Sequence, residues 1–171
     1  MSAKSSPANP SVVKQQMRRI LSDLNYDFSQ FTLAGFIGWL EQSEQRVFHC
    51  HPATLPAGIF GTWITTDNRE EYILFDAHGT ALHQTHIILH EISHWLLNHP
   101  THSLSDISPS TGAAQASLNP SRGVQTPTQE LEAEILSSLI LNEVQRHRRQ
   151  SPRVNAVGKL HSFFKALDAT P

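Results

Sequence analysis

The chain has 171 residues, 39% of them hydrophobic and 16% charged, which fits one globular domain and excludes a disordered polyelectrolyte. Thirteen Lys and Arg against fifteen Asp and Glu leave a formal charge of -2, so the basic field that draws proteins onto nucleic acid is missing and no direct nucleic-acid contact is expected. A single cysteine, Cys50, excludes an internal disulfide framework and an all-thiolate zinc cage, and fits a reducing, cytoplasmic compartment. No apolar run approaches the ~18 residues of a membrane span, so no membrane partner is expected.

Residues 1–10 are rich in Ser, Pro and Asn and read as a disordered tail ahead of a domain spanning 11–147. Val12, Val13, Met17, Ile20, Leu21 and Leu24 recur at helical spacing behind a Ser11 cap. A second helical pattern over 32–45 carries Leu33, Phe36, Ile37 and Leu40. The period then shortens: 46–51, 59–65 and 70–76 are β-branched and aromatic runs separated by Pro, Gly and Asp-Asn turns. These predict a small, mostly antiparallel three-stranded sheet in an α+β fold, with Phe36, Trp39, Phe60, Trp63 and Phe75 in the core.

Helical spacing returns over 81–98 and ends before Pro100. Residues 100–126 lack apolar periodicity and predict a long flexible loop, either a lid over a cleft or a floppy insert. Thr126, Pro127 and Gln129 form a capping-box start for a helix running to about His147. A basic, Pro-containing hinge and a short helix near 155–167 complete the chain over 148–171.

Eleven histidines outnumber the nine glutamates, and five residues concentrate the chemistry. His90-Glu91-Ile92-Ser93-His94 matches H-E-x-x-H, in which one helix turn sets two imidazoles on a common face to hold Zn²⁺ while the glutamate activates the attacking water. The chain's own His and Glu frequencies produce that pattern about 4% of the time by chance, so context has to decide it. At 100° per residue His94 falls roughly 40° from His90, whereas Ile88, Ile92 and Trp95 fall roughly 140–200° away. The helix therefore turns its apolar back to a core and its histidines to a cleft.

A catalytic zinc site needs a third protein ligand and leaves a fourth position open. Glu130 and Glu134, one turn apart in the downstream helix, share a face with Ala133 and Ser137, while Glu132 falls on the opposite side, expected to face solvent. Glu130 as the ligand, with Glu134 accepting a hydrogen bond from a ligand imidazole, is the preferred assignment; the reverse is also open. His83 and Tyr72 are candidates for stabilising the oxyanion or contacting substrate. His86 and His99 read as structural. His49 and His51 alternate around Cys50 on one strand face and could hold a second metal, although plain surface histidines are the simpler expectation.

The order of helix, small sheet ending in EEYILFD, LHQTHIILHEISHWLLNH, and a helix with Glu-x-x-Ala-Glu followed by leucines resembles the ImmA/IrrE family of zinc-dependent metallopeptidases. Ser93 stands where that family commonly has Gly, and Glu134 where it commonly has Asn. The resemblance implies a zincin-like active-site helix with a downstream glutamate helix, one Zn²⁺ per chain held by His90, His94 and Glu130, and Glu91 as general base. It further implies site-specific cleavage of a helix-turn-helix transcriptional repressor of a mobile element or stress regulon. The alternatives are a non-catalytic zinc-fold regulator that sequesters a partner protein, and a zincin protease of broader range.

Overall fold

The computed structural model describes residues 9–103 and 125–150. The greater part of the expected loop, the final helix expected at 155–167 and most of the expected tail lie outside those residues.

Helix α1 (Pro10–Asp23) is capped by Asn9 rather than Ser11: the Asn9 side chain accepts a 3.0 Å hydrogen bond from the Ser11 N–H, and Pro10 occupies the first turn, where its missing donor costs nothing. Val13 and Met17 are its buried residues. Helix α2 (Leu33–Glu44) is capped by Thr32, which accepts from the Gly35 N–H at 3.0 Å, and it stops where Gln45 turns left-handed at φ 54°. Between the two helices, Tyr26, Phe28 and Phe31 pack with Phe36 and Trp39 at ring separations of 4.9–6.4 Å.

The sheet differs from the expected one. Strands β1 (Val47–Ala53), β2 (Gly61–Thr65) and β3 (Glu70–Asp76) are joined by a two-residue β4 (His102–Ser103) in the order β1-β3-β2-β4. Only β2 and β3 pair antiparallel; β1 with β3 and β2 with β4 are parallel, so the sheet is mixed. Side-chain alternation is the same in both pairings, so the runs reveal strands but not their directions. Direction is set by residues 54–60, which carry the chain past the slot that β3 later fills. The β2–β3 hairpin closes with Thr66 N–H donating to the Glu70 carbonyl at 3.0 Å and Arg69 at φ 63°, a left-handed position usually given to glycine.

Phe48, Trp63 and Ile73 point from the sheet into a core shared with Ile88, Leu89 and Ile92 of helix α3 (Ala81–Leu96) and with Leu136, Ile140 and Val144 of helix α4 (Pro127–Gln150). Phe36 also belongs to that core, and Trp39 and Phe75 pack against it, but Phe60 does not: it is 57% exposed, ahead of β2, with its ring edge on His83. Contacts pair Glu132 with His99, Glu130 with His90 and His94, and Glu134 with His86, so α3 and α4 run antiparallel. Ser93, Ala133 and Ser137 are fully buried, and side chains this small let two helices approach closely.

The expected capping box forms: Thr126 N–H donates to Gln129 Oε1 at 2.9 Å and Gln129 N–H donates to Thr126 Oγ1 at 3.3 Å. Helix α4 outruns its expected end. Arg148 to Gln150 are helical rather than hinge, in keeping with cationic side chains at the negative end of the helix dipole and with Glu143 pairing to Arg146 and His147. No described helix is long and apolar enough to cross a membrane.

Candidate metal centre

Helix α3 begins at Thr80, whose hydroxyl accepts from the His83 N–H at 3.3 Å, and ten residues later presents His90 and His94 to α4. Their Nε2 atoms lie 3.0 Å apart. Glu130 Oε2 is 3.3 Å from His90 Nε2, and Glu130 Oε1 is 3.7 Å from His94 Nε2. Ligands bound to tetrahedral zinc at 2.0–2.1 Å stand about 3.3 Å from one another; the two contacts use different oxygens of Glu130, and one ligand atom from each of the three residues lies within 4.8 Å of the other two, so a small closure would bring them to that spacing. Two neutral-capable imidazoles and one carboxylate also match zinc chemically and leave the fourth vertex to a non-protein group. Among the described residues no other group of His, Cys, Asp or Glu is gathered this way.

His94 is 2% exposed, and burial first, then the neighbouring His90 and His99, pushes its pKa down to about 3. The ring is therefore neutral at any physiological pH, the state in which imidazole binds a metal. Glu130 is half exposed, so the site opens toward solvent on the α4 side.

Glu91 leans the other way, against β2. A Cβ built on Gly61 would lie 2.7 Å from Glu91 Oε1 and 2.5 Å from an Ile87 methyl, so the first residue of β2 has to be glycine for the carboxyl to fit. The nearby Trp63 backbone N–H favours the ionised carboxyl. Burial, followed by the negative charge of Glu130, pushes the Glu91 pKa up to about 8. A divalent cation held by His90, His94 and Glu130 would offset both causes by favouring the ionised form.

Glu134 lies where the downstream-helix pattern suggests, with Oε2 3.5 Å from His90 Nδ1 and 3.4 Å from His86 Nε2. Ser137 Oγ stands 3.3 Å from the same His86 nitrogen. His83 is exposed and lies two turns before His90, against Phe60. Tyr72 is not brought to this cluster: it alternates with the buried Glu71 and Ile73, so its ring lies on the sheet face away from α3, stacked on His49 at 4.6 Å with its hydroxyl donating to Glu70 Oε2 at 3.0 Å. His49 and His51 do share that outer face, their rings nearly parallel at 6.3 Å, while the Cys50 thiol is pushed up to about 11, first by burial.

One residue was misplaced by sequence patterning. Glu132 does not face solvent; its side chain is 20% exposed and its Oε2 is 3.2 Å from His99 Nε2. The other His99 ring nitrogen is 2.9 Å from His94 Nδ1. A helical wheel assigns the far side of α4 to water because it cannot see the chain leaving α3 and wrapping back over it.

No protein-family model, curated protein or solved structure matches the chain.

Proposed function

We propose that the chain is a zinc-dependent endopeptidase, and that its substrate is a helix-turn-helix transcriptional repressor. The observation that carries the reading is the convergence of His90 Nε2, His94 Nε2 and Glu130 within 3.0–3.7 Å beside a buried glutamate that no metal-holding role requires. The repressor substrate rests on the ImmA/IrrE resemblance of the motif-bearing segments.

A zinc ion held by His90, His94 and Glu130 would supply a Lewis acid for the scissile carbonyl and for the attacking water. Glu91 is placed to accept a proton from the attacking water and return it to the leaving amine, and a cation held beside it would favour the carboxylate form that a general base needs. The bare Cα of Gly61 leaves room for that carboxyl against β2, and the nearby Trp63 N–H favours its ionised form. Glu134 orients His90 through Nδ1.

Metal content of the purified chain and of three variants tests the assignment before any repressor is in hand. Wild type and Glu91→Gln should each hold one zinc per chain, while His94→Ala and Glu130→Ala should lose it or hold it weakly. Cleavage of a repressor or an unfolded protein should vanish in Glu91→Gln. Absence of stoichiometric metal, or cleavage that survives Glu91→Gln, would overturn the proposal.

A further inference from the structure

We propose that His99 and Glu132 are positioning residues for the candidate centre, forming a hydrogen-bonded relay, Glu132–His99–His94, that fixes which nitrogen His94 offers to the metal. The relay rests on the metallopeptidase reading only for the identity of what His94 faces; the order of protons along it follows from the hydrogen bonds of two neutral imidazoles.

The relay begins in the way α3 ends. Leu97 is the last residue with helical geometry, Asn98 turns left-handed at φ 52°, and the chain closes with Asn98 N–H donating to the Trp95 carbonyl and His99 N–H donating to the His94 carbonyl, each at 3.0 Å. This pair of bonds is a Schellman termination, in which the second residue past the cap folds back against the third residue before it. An apolar pair commonly occupies those two positions; here they are His99 and His94. Their rings meet edge to face, with centroids 5.0 Å apart and the two Nδ1 atoms 2.9 Å apart. Pro100 follows and prevents the helix from resuming.

With both buried imidazoles neutral, proton placement has one consistent solution. A carboxylate only accepts, so Glu132 Oε2 at 3.2 Å takes the Nε2–H of His99. Neutral imidazole carries one proton, which leaves His99 Nδ1 as an acceptor for the Nδ1–H of His94. His94 is thereby left with a bare Nε2, the atom that lies 3.0 Å from His90 Nε2 and 3.7 Å from Glu130 Oε1. Both imidazoles of the relay are buried, at 2% exposure for His94 and 8% for His99, so solvent has little access with which to replace a lost partner. His90 lacks this arrangement: its Nδ1 meets Glu134 at 3.5 Å, and that carboxylate is half exposed and shared with His86.

Long-range proton–nitrogen NMR of the imidazoles in the full-length, metal-free protein reads the relay directly. Nδ1 protonation of His94 and Nε2 protonation of His99 are expected; a proton on His94 Nε2 would overturn the proposal. Zinc affinity by chelator competition then measures its effect. His99→Leu, which leaves His94 Nδ1–H without an acceptor, should bind zinc ~10–100-fold more weakly than wild type. His99→Asn, which keeps an acceptor near the position of Nδ1, should recover most of that loss, and Glu132→Ala should weaken binding less than His99→Leu. Binding by His99→Leu within twofold of wild type would overturn the relay. Should that variant not fold, Glu132→Ala carries the test on the same terms. A wild type that takes up no zinc would defeat the peptidase reading, while the imidazole spectra would still decide the relay.

Discussion

Two glutamates are buried against Trp63, and they differ in almost every other respect. Glu71, on β3, is fully buried and fully partnered: Arg46 pairs with it, the Trp63 indole N–H donates to it at 2.7 Å, and the Thr65 hydroxyl donates at 3.3 Å. Glu91, on α3, has no cation paired with it among the described residues, and its carboxyl is pushed up to about 8. A buried carboxylate with a cation and two further donors ties strands together, whereas one left short of partners holds its proton more tightly than usual, up to near neutrality. Burial alone therefore does not distinguish a structural acid from a reactive one. Partner supply does.

The largest expected effect separates the two by activity. Glu91→Gln should lower peptide hydrolysis by about 10²–10⁴-fold, as expected for loss of a general base, while leaving zinc content near wild type. Glu71→Gln should do the reverse, unfolding the chain at lower denaturant by on the order of 3 kcal/mol because the Arg46 charge loses its partner, with metal binding preserved in the folded fraction. Comparable stability losses in both variants would erase the distinction.

Gly61→Ala sharpens the comparison from the strand side. Its methyl would sit 2.7 Å from Glu91 Oε1 and 2.5 Å from Ile87, so overpacking of about 1–3 kcal/mol is expected, together with reduced turnover from a displaced carboxyl. Unchanged turnover would show that the position of Glu91 is not set by β2.

Stability against pH gives the next test. In the metal-free protein the folded chain keeps the Glu91 proton up to about pH 8, whereas the unfolded chain releases it near the ordinary value of 4.5. The raised value means that wild type loses stability relative to Glu91→Gln as pH climbs from about 4.5 to about 8, and loses no more above that. Thermal melts of both proteins across pH 5–9 should show the glutamine variant pulling ahead and then levelling. Saturating zinc should shrink that gap, because a cation favours the carboxylate. The smallest effect expected is at the β2–β3 turn, where Arg69→Gly should raise stability by up to about 1 kcal/mol by relieving a left-handed backbone.

Much of this was present in local patterning. Thr126, Pro127 and Gln129 begin α4 as their chemistry requires, and the three apolar runs become strands. Helical spacing alone places His90 and His94 on one face, and Glu130 and Glu134 on another, because both relations lie within two turns of a helix.

What the tertiary structure decided is what depends on residues far apart in sequence. The parallel pairing of β1 with β3 follows from the path of 54–60, which alternation does not encode. Phe60 left the core because it falls in that same crossing segment. Glu132 and His99 are 33 positions apart and meet only because α4 packs antiparallel to α3. Asn98 followed by a histidine and Pro100 is a sequence pattern compatible with a fold-back, but it does not name the partner, and the left-handed backbone at Asn98 is seen only in the structure. Sequence by itself determined the helix faces and the donor types, since these follow from periodicity and side-chain chemistry. Which donors converge, and which acid is left short of partners, was decided by packing.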